Sequence, residues 1–140
     1  MAFIKCSGGG KLKQTRLWIN PIGINQPFAT QDIDLDDSWR NYNYLQIIVR
    51  RSKSISDYPA ESVISKDEFE VCSNVTERSY RWSVGSYVYS GLNGSSKDTW
   101  TRHITWNSST NLHIQKAYQC GGSSNSNNNI IPDVLYGLKY

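Results

Sequence analysis

Apolar side chains recur at every second position along most of this chain, and no long stretch repeats at the 3.6-residue period of a helix. That periodicity commits the chain to β-strands. In Leu45-Gln46-Ile47-Ile48-Val49, residues 45, 47 and 49 share one side, and the apolar Ile48 on the other predicts a strand covered on both faces. Ala29, Ile33 and Leu35 oppose Thr30, Asp32 and Asp34. Trp100, Ile104 and Trp106 oppose Thr99, Thr101, His103 and Thr105, which predicts a half-buried strand with threonines along its outer surface. Leu112, Ile114 and Tyr118 alternate with Asn111, His113, Gln115 and Ala117. The four turn-forming residues Asn107-Ser108-Ser109-Thr110 between these two segments predict an antiparallel hairpin.

Further strands are expected at 15–20, 63–71 and 131–139, with a short one at 2–5. Tyr80, Trp82 and Val84 are even-numbered whereas Tyr87 and Tyr89 are odd, and Gly85 at the switch predicts a β-bulge. The only helical expectation is a single turn within 35–44, capped by Asp36, with Trp39 packed inward. About eight strands separated by turn signals predict an all-β fold: an antiparallel two-sheet β-sandwich, jelly-roll-like, with a closed barrel as the alternative. At 140 residues the chain is the size of one domain. Gly8-Gly9-Gly10 marks a tether, so residues 1–13 are expected to form an N-terminal arm and 14–140 the sandwich. The Ser/Asn-rich stretch 121–129 is expected to be a surface loop of the kind that carries binding.

Composition narrows the function classes. Ser, Thr and Asn supply 38 of the 140 residues and 17 are aromatic, which excludes a helical bundle and extended disorder. The net charge of +3 comes from scattered residues, which argues against a nucleic-acid partner. No apolar run is long enough for membrane insertion, and none near the start has the form of a secretory signal. Cys6, Cys72 and Cys120 are odd in number and lack C-x-x-C spacing, so they are expected to be reduced thiols, two of them buried.

No catalytic, metal or cofactor motif stands out. His103 and His113 fall on the outer parity of the predicted hairpin, where they could face each other, but two imidazoles without an acidic third ligand make a poor metal site. Asp32, Asp34, Asp36 and Asp37 are expected to be solvated. The aromatics are the stronger signal, because Trp82, Tyr87, Tyr89, Trp100 and Trp106 fall within 27 residues of one another. Arg102, on the same side as Trp100, is an awkward charge for a core. Two readings follow: these tryptophans build the core, or Trp82, Tyr87, Tyr89, Trp100 and Arg102 line a subunit interface or a sugar site where rings stack on pyranose faces.

Four segments carry a resemblance. Leu17-Trp18-Ile19-Asn20-Pro21 is followed by Phe28-Ala29-Thr30-Gln31-Asp32-Ile33-Asp34-Leu35, and then by Tyr42-Asn43-Tyr44-Leu45-Gln46-Ile47-Ile48-Val49-Arg50-Arg51-Ser52. With the ending Ile131-Pro132-Asp133-Val134-Leu135-Tyr136-Gly137-Leu138-Lys139 after a Ser/Asn-rich loop, this order resembles small tail-associated structural proteins of bacteriophages. The resemblance implies a non-enzymatic virion component, a tail-fibre or tail-tip receptor-binding module with a β-sandwich and a homotrimeric assembly. It also implies host attachment through cell-surface polysaccharide and docking onto other virion proteins through the N-terminal segment. A capsid decoration or head-fibre protein, a carbohydrate-binding module outside a virion and a polysaccharide depolymerase are the competing expectations.

Overall fold

The computed structural model describes residues 10–21, 27–52, 59–73, 80–90, 96–120 and 125–140, with the backbone alone at 52, 87–90 and 96–98. Within them the chain forms β1 (Lys13–Ile19), β2 (Gln31–Asp34), β3 (Tyr44–Ser52), β4 (Pro59–Ser65), β5 (Trp82–Ser90), β6 (Ser96–Ser108), β7 (Asn111–Ile114), β8 (Tyr118–Gln119) and β9 (Asn129–Lys139). They make two antiparallel sheets, one ordered β1-β9-β3-β4, the other β2-β7-β6-β5 with β8 also paired to β6. The predicted sandwich is therefore the observed fold. The chain crosses between sheets after β1, β2, β4 and β8, whereas β5, β6 and β7 run as a meander within one sheet. The predicted arm and the strand at 2–5 lie largely outside the described residues, and Lys13 is already paired with Lys139.

The alternating apolar residues meet between the sheets. Leu17, Leu45, Ile47 and Leu135 from the first sheet face Ile33, Ile104, Leu112 and Ile114 from the second, all essentially inaccessible to water. Each such aliphatic side chain contributes about 1.5–3 kcal/mol on burial. Aromatic rings fill the space near the sandwich end: Trp39 packs edge-on to Phe69 at 5.1 Å, and Phe69 to Trp82 at 5.7 Å. Trp39 enters from a 3-10 turn at Trp39–Asn41, as expected, although Ser38 caps the turn in place of Asp36.

Several local expectations are corrected. The expected strand at 63–71 stops at Ser65, where a capping box ends β4 and starts the short helix α1 (Lys66–Glu70). Ser65 Oγ accepts from the Glu68 amide at 3.2 Å, and Glu68 Oε2 accepts from the Ser65 amide at 3.3 Å. This turn points Phe69 into the core. Gly85 makes no bulge, since β5 and β6 stay in register through Gly85↔Thr101. A side chain there would put its Cβ 2.7 Å from the Trp100 carbonyl oxygen, so glycine serves close strand approach. The register shifts fall at Leu17, Asn107 and Asp133. Ala29 is exposed and Phe28 takes the buried place. Ile48 is half-buried in an open apolar cleft with Ile19, Val134 and Tyr136, so β3 is not fully covered on its outer side. Of the cysteines, Cys72 is a buried free thiol and Cys120 an exposed one, with Cys6 outside the described residues.

Candidate functional site

Three of the five residues expected at an interface or sugar site are interior. Trp82 and Trp100 are 4% and 8% exposed, and Trp82 Nε1 donates to Ser62 Oγ at 2.9 Å. Trp106 is half-buried, donates to the Phe69 carbonyl at 3.0 Å and packs on the core. Arg102 is 1% exposed. Its Nε donates to the Ile130 carbonyl at 2.6 Å, Nη1 to Gln115 at 3.1 Å, and Nη2 to Asn127 at 3.3 Å. The guanidinium also lies 4.9 Å over the Phe28 ring. Burial pulls its pKa down to about 10, which still leaves it charged at neutrality. Arg102 is thus a strut that bonds several main-chain carbonyls and holds the end of the Ser/Asn-rich segment, including Ile130 at its left-handed φ of 50°. The side chains of Tyr87 and Tyr89 lie outside the described residues.

The opposite side of the same sheet is polar, and its side chains are tied to one another across strands. Asn111 Nδ2 donates to Asp34 at 2.8 Å, Asn107 Nδ2 donates to Asn111 at 2.7 Å and to Asp32 at 3.3 Å, and His113 Nδ1 meets Asp32 Oδ1 at 2.6 Å. The register explains this row: Asp32 pairs with His113 and Asp34 with Asn111. A carboxylate only accepts, so the His113 proton sits on Nδ1. The His113 hydrogen bond is the main reason that the Asp32 carboxyl is held below the usual range.

A second cluster lies beside it. Arg81 Nη1 approaches His103 Nδ1 at 3.4 Å, and His103 Nε2 is hydrogen-bonded to the Tyr118 hydroxyl. A guanidinium can only donate, so Nδ1 accepts and the imidazole proton lies on Nε2, directed at Tyr118 oxygen. The two rings meet edge-on at 5.0 Å. Burial, then the Arg81 charge, pushes the His103 pKa down, which keeps the ring neutral. Tyr80, next to Arg81, is 72% exposed.

His103 and His113 do not face each other as expected. Thr105 stands opposite His113, while the Gln115 amide bonds the His103 carbonyl, so the imidazoles are offset along the strands and have separate partners. Among the described residues no three metal-ligating side chains converge. Of the threonines expected along the outer surface, Thr99 is exposed, but Thr101 is buried and donates to the Val84 carbonyl at 3.0 Å, and Thr105 is fully buried. Thr105 is the register partner of His113, yet it is fully buried and has no access to a substrate. What remains at the surface is a fixed array of amide, carboxylate and imidazole groups with a half-buried tyrosine ring. Such an array can bind hydroxyl groups bidentately and stack a ring.

Sequence reasoning placed Asp32, Asp34, His103 and His113 on the outer side but missed that Asp32, Asp34 and His113 are tied into one row with Asn107 and Asn111, and that His103 pairs with Tyr118. Out-facing parity was the available signal for Asn111, whereas Tyr118, expected to share the inner side of Leu112 and Ile114, instead meets the outer His103, and Ala117 is the buried residue. Compared with known proteins, the chain matches no family model and no curated sequence. No helix among the described residues is long and apolar enough to cross a membrane.

Proposed function

We propose that this chain is a non-enzymatic bacteriophage virion protein, a tail-fibre or tail-tip component that contributes to host attachment by binding a cell-surface glycan on the outer side of the five-stranded sheet. The observation that carries the binding part is the Asp34–Asn111–Asn107–Asp32–His113 row. Its donors and acceptors are held in place by each other, so little side-chain entropy is lost when a sugar hydroxyl replaces water. The virion part rests on the resemblance to phage tail-associated proteins, and the hydroxyl- and amide-rich composition suits it.

In this reading the N-terminal segment docks onto the particle. The open apolar cleft at Ile19, Ile48, Val134 and Tyr136 is where another subunit of a homotrimer packs, with Ile19 49% exposed in the single chain. Isothermal titration of host wall polysaccharide into the protein tests the binding part: saturable heat with intact glycan recovered supports it, and no heat at millimolar sugar overturns it. Labelled antibody bound to heads and not to tails in electron micrographs would favour a capsid decoration role instead.

A further inference from the structure

The second sheet does not cover the whole inner side of the first. Lys13, Thr15 and Leu17 alternate toward the interior on β1, as Lys139, Gly137 and Leu135 do on β9; Leu17 and Leu135 are in the core, but Lys13 and Lys139 lie beyond its edge. Between core and edge stands Tyr42, whose ring presses so closely on the β9 backbone that a Cβ at Gly137 would fall 2.4 Å from its Cγ. Outside Tyr42 opens a cleft of about 250 Å³ lined by Lys13, Thr15, Asp37, Asn41, Tyr42 and Lys139.

The charges in this cleft do not balance internally. Lys13 and Lys139 are direct cross-strand partners, an arrangement that destabilises a sheet when nothing neutralises it. Neither forms an ion pair with a described carboxylate. The one carboxylate lining it, Asp37, feels the Lys139 charge but spends its hydrogen bonds elsewhere: Oδ1 accepts from the Ser38 amide at 2.7 Å and from Asn41 at 3.0 Å, and Oδ2 accepts from the Tyr42 hydroxyl at 2.9 Å. Two cations against one carboxylate leave the cleft with one positive charge, flanked by the polar Thr15 and Asn41 side chains.

We propose that this cleft is an anion-binding site that takes a single oxyanion, a phosphodiester or a sugar carboxylate, between Lys13 and Lys139. The two ammonium groups supply charge-assisted hydrogen bonds to its oxygens, and the neutralised pair ceases to repel. The site is separate from the polar side of the five-stranded sheet and stands whether or not that surface binds glycan.

The test is a titration of the full, 15N-labelled chain with inorganic phosphate, galacturonate and neutral galactose, at ionic strength held constant with chloride. Phosphate or galacturonate is expected to shift the Thr15, Asn41 and Tyr42 amides saturably at millimolar concentration, with galactose leaving them unmoved; the tighter of the two acids identifies the oxyanion. Lys13→Gln with Lys139→Gln should weaken binding at least tenfold, and Lys13→Arg with Lys139→Arg should keep it, both with unchanged far-UV circular dichroism. Anion shifts no larger than those from chloride, or a Gln pair that binds as well as the parent, would overturn the proposal. Shifts confined to His113 and Gln115 would also overturn it while leaving the glycan surface standing.

Discussion

The two sides of the five-stranded sheet use polar chemistry for opposite ends. On the inner side Arg102, a full charge, is 1% exposed and spends its donors on main-chain carbonyls, so it holds the fold. On the outer side, one residue further along β6, His103 is kept neutral and bonds only other side chains at the surface, so its loss leaves the backbone ladder intact. Polarity thus does not reveal role. What separates the two is whether the partner is main chain away from water, as the buried Ile130 carbonyl is, or a side chain that water could serve equally well.

Arg102→Ala is the harshest way to break this contrast. It strips the buried Ile130 carbonyl and the part-buried Gln115 and Asn127 carbonyls of a donor and leaves a cavity beside Phe28, and urea denaturation should show a loss of about 3–5 kcal/mol. A loss below about 1 kcal/mol would mean that the inner side does not depend on its charge. Gly85→Ala comes next, because its new Cβ must push against the Trp100 carbonyl; a penalty of about 1–3 kcal/mol in the same assay is expected even though Gly85 itself is exposed.

Outer-side changes should divide stability from binding. Asp32→Asn and His113→Ala remove an exposed pair worth no more than about 1 kcal/mol, yet each should lower glycan affinity by at least tenfold in calorimetry. Equal effects on stability and affinity would show that the row is merely structural.

The smallest effect is on pH dependence. The folded His103 pKa lies below that of the unfolded chain, so the unfolded chain takes up the proton first. The stability contributed by neutral His103 should be complete above about pH 6.5 and decline as pH falls below it. Asp32, with its carboxyl held low, contributes stability above about pH 3.9 that is lost only as pH falls through its folded value. Melting curves of His103→Gln should lack the first decline and keep the second.

Much of the fold was legible because strand parity is a local signal. Leu45, Ile47 and Val49, or Ile104 with Leu112 and Ile114, show their burial by alternation alone. The Ser65-x-x-Glu68 capping box was equally readable, but the alternation of 63–71 masked it. The candidate surface was harder to see, because Asp32 and His113 are 81 residues apart and only the β2–β7 register brings them together. The aromatic cluster left two readings open for a related reason: density of Trp in sequence does not distinguish rings that line a core, as Trp82 and Trp100 do, from rings that line a groove.

Sequence by itself determined that this chain makes strands, which side of most strands is apolar, and where the core aliphatics stand. It did so because a pleated backbone sends successive side chains to opposite faces, wherever the strand ends up. Only the tertiary structure decided that Arg102 is a strut, that Asp32, Asp34 and His113 are joined through Asn107 and Asn111 into one row, and that Lys13 and Lys139 share a cleft. Those roles depend on strand register and on how far one sheet extends past the other, and both are set by pairings between residues distant in the chain.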